Sequence, residues 1–158
     1  MFVGPWSALL TITLQWEDDP VKNFLLPWMQ SIEVVEAVRK SDTTGHITYR
    51  FPAKHLYSNP SGNVHGGAQA AFFDVGTTWL LFLIQKPGFW ERMGITRSLN
   101  CTYLRPAPEG EMLRLECEIV HAGKSLCALK AVLKTDKDGK VCTTCEHNKY
   151  NVDLHSKL

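Results

Sequence analysis

An α+β fold, with one long central helix wrapped by a curved antiparallel sheet of about five or six strands, is what this sequence predicts. Three observations carry that expectation. The run from Ala68 to Ile84 is apolar at most positions, yet it holds Gln69, Asp74, Gly76 and two threonines. It is short and wrong in content for a membrane span, so it reads as a buried helix. Downstream, "EMLRLECEIV" alternates cleanly, with Leu113, Leu115, Cys117 and Ile119 on one face and Arg114, Glu116 and Glu118 on the other. Turn residues punctuate the same region, at Pro106-Ala-Pro-Glu-Gly110 and at Lys137-Asp-Gly139.

Residues 1–30 read as an N-terminal arm and 31–158 as the domain. The arm carries Trp6, Trp16, Phe24 and Trp28 around "EDDP", where Asp18 or Asp19 is placed to cap a short helix running to about Met29. In the next segment Ile32, Val34, Ile47, Tyr49 and Phe51 alternate around a Ser-Asp-Thr-Thr-Gly turn, predicting a hairpin or one long bent strand. The helix is expected over about Gly67 to Gln85, broken by "KPGFW". Three or four antiparallel strands follow. One sheet covers one side of an all-apolar helix, so the other sides need the arm or a partner subunit. An oligomeric interface at the helix is one way to supply that cover.

The formal charge of +1 leaves no field suited to nucleic acid or an anionic membrane. Five cysteines, most inside strand-like segments, suit reduced thiols in an intracellular, cytoplasmic protein better than a disulfide framework. The apolar N-terminus lacks basic residues before its run, which argues against a secretory signal. "CTTC" has Cys-x-x-Cys spacing without a second pair; His147 is near, but a closed zinc site needs four converging ligands. The chain has no G-x-S-x-G, no H-E-x-x-H, no phosphate-binding loop and no dinucleotide fingerprint, so neither a metal nor a cofactor is expected.

The chemistry concentrates in "NPSGNVHGGAQAAFFD". Asp74 is the only charged residue between His65 and Lys86. A carboxylate in such a run is paired, protonated, or placed in a cavity that uses its charge, unless it faces water or caps a loop. Gly66 and Gly67 stand where the helix begins, where free backbone N–H groups and close approach suit an oxyanion. A plain Gly-Gly turn into the helix is the competing reading. His65 supports the turn or polarises a carbonyl, and Asn59 holds a carbonyl or water or simply starts a turn.

The spacing "N-x5-HGGA-x5-D", from Asn59 through His65, Gly66, Gly67 and Ala68 to Asp74, resembles the hotdog-fold acyl-CoA thioesterases of the phenylacetate-pathway type and their small thioesterase-superfamily relatives. "GITRSLNCTYLRPAPEGE" and "GKSLCALKAVLKTDKDGKVCTT" resemble that family's following strands, and the likeness spans about residues 31–150. The resemblance implies the hotdog fold, dimers or tetramers with active sites between subunits, and hydrolysis of an acyl-CoA or carrier-bound acyl thioester. By position it makes Asp74 the general base or nucleophile in a dry cleft, and Gly66 of another subunit the oxyanion donor. His65 and Asn59 position carbonyl and water, and Thr96 holds the water. Gly67, Arg97, Trp79, Lys124 and Arg105 are the candidate substrate-binding residues, with Arg105 and Lys124 taken toward the CoA phosphates. The tryptophan-rich arm, the bulky "IQKPGFWERM" connection and Arg97 depart from the family's minimal pattern, and they leave fatty, aromatic and polyketide-like acyl groups all open. A dehydratase-like enzyme and a non-catalytic acyl-binding module are the alternatives.

Overall fold

The computed structural model describes residues 24–153. A short helix α1 (Leu26–Met29) leads into β1 (Glu33–Arg39) and β2 (Gly45–Pro52). Helix α2 (Gly66–Leu80) follows, and then β3 (Ile95–Tyr103), β4 (Met112–Ala122), β5 (Leu126–Thr135) and β6 (Val141–Tyr150). All pairings are antiparallel, and the six strands lie in the order β1-β2-β4-β5-β6-β3. The first segment is thus a hairpin rather than one bent strand, and four strands follow the helix.

Alternation decides which face meets α2. Ile47, Tyr49 and Phe51 of β2 and Leu113, Leu115, Cys117 and Ile119 of β4 are all buried, while Arg50, Arg114 and Glu116 point outward. Against them lie Phe72, Phe73, Gly76 and Leu80 of α2. Gly76 allows the closest approach, since a Cβ there would stand 2.7 Å from Leu115 Cδ2. The Tyr49 hydroxyl donates to the Gly76 carbonyl at 3.1 Å and pins the helix to the sheet.

The end of the arm closes one end of this core. Trp28 stacks on Phe72 with ring centroids 4.7 Å apart and meets Phe51 edge-on at 5.4 Å. Helix α1 starts at Leu26, with Pro27 in its first turn where a missing N–H costs nothing. Asp18 and Asp19, expected to cap it, lie outside the described residues, as do Trp6 and Trp16. Helix α2 also ends earlier than the sequence suggests: it tightens into a 3-10 turn over Leu81–Leu83, which buries those three apolar side chains before the Lys86–Phe89 turn.

The described residues do not enclose helix α2. Ala70, Asp74 and Thr78, spaced one turn apart on the side away from the sheet, are only half-buried. No helix among the described residues is long and apolar enough to cross a membrane.

Candidate active site

Asp74 sits midway along α2, and β3 and β6 bring its partners to it. The Thr96 hydroxyl donates to Asp74 Oδ1 at 2.7 Å. Thr96 Oγ1 is also 3.0 Å from His147 Nε2, and His147 Nδ1 is 2.6 Å from Thr77 Oγ1 on α2. His147 itself lies 3.5 Å from Asp74 Oδ1. A neutral imidazole carries one proton, and the bonding of the Thr77 hydroxyl decides which nitrogen holds it. The Thr77 hydroxyl donates to the Phe73 carbonyl at 2.6 Å, so Thr77 Oγ1 accepts the His147 Nδ1–H, Nε2 is the acceptor side of the ring, and the Thr96 O–H stands between Nε2 and the carboxylate. The result is a four-residue relay ending on Asp74.

Neutral His147 is what its surroundings favour. Burial, and secondarily the nearby Lys149 ammonium, push its pKa down from 6.5 to about 4, against the opposing pull of Asp74. Lys149 is buried beside it, and its Nζ donates to Thr78 Oγ1 at 2.9 Å. Burial lowers the pKa of Lys149 too, while Asp74 opposes that shift.

Among the described residues Asp74 is not enclosed. Its side chain is 45 % exposed in the single chain. The carboxylate thus lies on the open stripe of α2, with one oxygen outside the relay.

The glycine pair builds a second, separate half. His65 is the N-cap of α2, and its Nδ1 accepts the Gly67 N–H at 3.0 Å. That bond commits Gly67 to the cap and leaves the proton on exposed Nε2. Gly66 occupies the first helical position, where a backbone N–H has no intrahelical acceptor. The Tyr103 hydroxyl donates to the Gly66 carbonyl at 2.7 Å, and its ring lies where a Gly66 Cβ would be, 3.1 Å from that position. Beside this helix start is a cleft of about 400 Å³ lined by Asn59, Gly66, Gln69, Tyr103 and Arg105, among others. Asn59 Oδ1 accepts the Ser61 and Asn63 N–H groups at 3.0 and 3.3 Å, so its carbonyl end serves the turn.

The remaining candidates disperse. Trp79 is buried, 6.0 Å from the Trp28 ring and 6.4 Å from Tyr49, so its indole belongs to the core rather than to a binding surface. Helical spacing put it there: three residues after Gly76, it returns to the sheet-facing side. Arg97 is exposed at a bulge where β3 gains one residue between Thr96 and Ser98. That extra residue lets Thr96 face Asp74 while Ser98 turns outward. Arg105 is exposed and donates to the Val141 carbonyl at 3.0 Å; Lys124 is exposed at the β4–β5 turn.

His147 and Lys149 are the residues that sequence reasoning passed over, having weighed His147 only as a zinc ligand. Their signal is the alternation of "CEHNKY", where Cys145, His147 and Lys149 fall on the inward face and Glu146 and Asn148 do not. A histidine and a lysine at consecutive inward positions of a strand mark a polar site under the helix.

Comparison with known proteins agrees with this architecture. The chain is 24% identical over 110 residues to acyl-coenzyme A thioesterase 13 of Homo sapiens, covering 70% of this chain and 76% of that protein. The mouse protein of the same name is 28% identical over 94 residues, covering 60% of this chain and 64% of the other. Zebra fish thioesterase superfamily member 2 superposes with a TM-score of 0.75 at 20% identity, covering 94% of this chain and 99% of that one. A hypothetical thioesterase from Streptococcus pneumoniae, solved with coenzyme A, superposes with a TM-score of 0.65 at 18% identity, covering 77% and 88%. The helix-over-sheet fold is the hotdog fold of these structures. The model of the family described as "Thioesterase superfamily" matches residues 61–142, just over half of the chain and the span from the Gly66 helix start to β6, so this chain belongs to the thioesterase superfamily.

Proposed function

We propose that this thioester hydrolase cleaves an acyl-CoA to the free acid, with Asp74 as general base or nucleophile. The observation that carries the reading is the Thr77–His147–Thr96–Asp74 relay, which holds one carboxylate oxygen and leaves the other side of the group open to a substrate. An ionised, oriented carboxylate is the group needed to take a proton from water or to attack a thioester carbonyl. Coenzyme A as the thiol side is supported by the hypothetical thioesterase from Streptococcus pneumoniae, solved with coenzyme A, and by smu.793 of Streptococcus mutans, solved bound to acetyl CoA.

The oxyanion donor comes from a second copy in this reading. Gly66 and Asp74 stand eight residues apart on one helix, roughly 12 Å along its axis, too far to share one carbonyl. A homodimer that sets the open stripe of one α2 against the helix start of another supplies both groups to each site. The Gly66 N–H then binds the developing oxyanion, with Asn59 and His65 beside it. Thr96 fixes the attacking water, and Arg97, Arg105 and Lys124 are exposed cations for the CoA phosphates.

The test is thiol release from short, long and aromatic acyl-CoAs, with an acyl-carrier protein as the second substrate class. Asp74→Asn should lower turnover by ~100-fold or more, the lower end of a positioned acid–base contribution, while the oligomer persists in sedimentation. Near-wild-type turnover by that variant removes Asp74 from the mechanism. Failure of the wild-type chain on every thioester favours the acyl-binding module, and loss of water from a hydroxyacyl thioester favours the dehydratase.

A further inference from the structure

We propose that Cys101 and Cys145 form a site of reversible modification, a cross-strand disulfide closed by peroxide between the two proposed half-sites. The argument rests on ladder geometry. Cys101 of β3 lies directly opposite Cys145 of β6. The Leu104 N–H donates to the Cys142 carbonyl at 2.8 Å, which makes the adjacent Tyr103–Thr143 pair a non-hydrogen-bonded one. The alternation of an antiparallel ladder then makes Cys101–Cys145 non-hydrogen-bonded as well.

That pair type is the close one. Its Cα atoms stand about 4.5 Å apart, with side chains nearer each other than at hydrogen-bonded positions. A disulfide needs roughly 4.4–6.8 Å, so the bond forms without moving a strand. It lies at the short end of that range. No other two cysteines are placed this way. Cys117 faces Ile47 and Ala131, and Cys127 faces Ala122 and Lys149. Cys117 shares the row of Cys145 but is two strands away, roughly 10 Å.

The two thiols differ in access. Cys101 is half-buried and Cys145 is buried against α2. Burial raises the Cys145 pKa, with the neighbouring Cys101 thiol and the Asp74 carboxylate adding to the effect, so Cys145 is the poorer first nucleophile. Cys101 therefore attacks first. Its thiolate takes one peroxide oxygen, becoming a sulfenic acid while the other oxygen leaves as water. The Cys145 sulfur then attacks the Cys101 sulfur and displaces hydroxide, which leaves as water with the Cys145 proton. Two thiols lose two electrons and one hydrogen peroxide becomes two waters.

The position gives the bond a consequence. On the inward face of β3 and β6, the cysteine pair lies between Leu99–His147 and Tyr103–Thr143. His147 belongs to the Asp74 relay, and Tyr103 holds the Gly66 carbonyl. The disulfide ties an edge strand to its neighbour at the midpoint between them.

The experiment treats the full chain with hydrogen peroxide, blocks remaining thiols with iodoacetamide, and maps peptides by mass spectrometry without reduction. The expected result is a Cys101–Cys145 cross-linked peptide that disappears on adding dithiothreitol. Cys101→Ser, at the half-exposed position, should leave Cys145 alkylated after the same treatment. Cys145→Ser should leave a Cys101 sulfenic acid that dimedone traps. Cys101 driven to sulfinic acid with Cys145 still alkylated overturns the proposal. So does a Cys101 bond to another copy, or an unreacted Cys101 under conditions that oxidise glutathione.

Discussion

At the scale of single residues, the chain places a hydroxyl, an imidazole and a carboxylate in series, and each can be tested by removing one donor. Thr96→Val keeps the shape of the side chain but leaves His147 Nε2 and the Asp74 oxygen without the hydroxyl they share. A buried polar group left unpaired costs about 1–3 kcal/mol, and turnover should fall by about 10-fold or more if the hydroxyl orients the acid. Thr96→Ser restores the hydroxyl and should restore most of the rate, which separates orientation from packing in a kcat comparison. His147 adds a pH signature. Its pKa of about 4 in the fold is depressed below the ordinary 6.5. Between those values the unfolded chain takes up a proton that the folded chain refuses, so stability rises with pH across that window. Urea midpoints should therefore drop as the pH is lowered from 6.5 toward 4, with no effect from this group above 6.5. His147→Gln should flatten that slope.

At the scale of elements, the bulge in β3 and the cap of α2 aim the chemistry. The loop before β3 turns through Gly94 at φ +63°, where a Cβ would stand 2.4 Å from the Tyr150 carbonyl. Asp153 holds the same loop by accepting the Glu91 and Arg92 N–H groups at 2.7 and 3.1 Å. With the entry to β3 fixed, the extra residue at Arg97 sets Thr96 inward. Helix α1 contributes through packing. Trp28 fills the space between Phe51, Phe72 and Trp79, and Trp28→Ala should cost about 3–5 kcal/mol in chemical denaturation, the range for emptying a large aromatic site. A loss below about 1 kcal/mol would mean the core closes without it.

At the scale of the whole molecule, activity depends in our reading on two copies. Gly66→Pro deletes one N–H at the first helical position, which proline tolerates; Tyr103 must shift a few tenths of an ångström to admit the ring. Gly66→Pro and Asp74→Asn should each be nearly inactive alone. Co-expressed, they should recover about a quarter of wild-type activity, because half the dimers are mixed and each mixed dimer holds one intact site. No recovery in verified mixed dimers would place Gly66 and Asp74 in separate functions.

Much of this protein was legible from local pattern. Strict alternation in "EMLRLECEIV" marked the inward face of β4, because period two is a property of the strand itself. The "HGGA-x5-D" spacing likewise marked the two ends of the proposed site, because it is written along one helix. Other features depend on neighbours that the sequence does not list. Asp74 finds Thr96 and His147 across gaps of 22 and 73 positions, and only the β3–β6 pairing brings those together. Trp79 read as a surface for substrate until the packing of Trp28 claimed it for the core. The sequence by itself determined the element order and the inward faces, and it singled out Asp74 as the candidate acid. Tertiary structure alone decided what surrounds the acid, since that depends on strand register and on the bulge at Arg97, and both are settled by long-range hydrogen bonding.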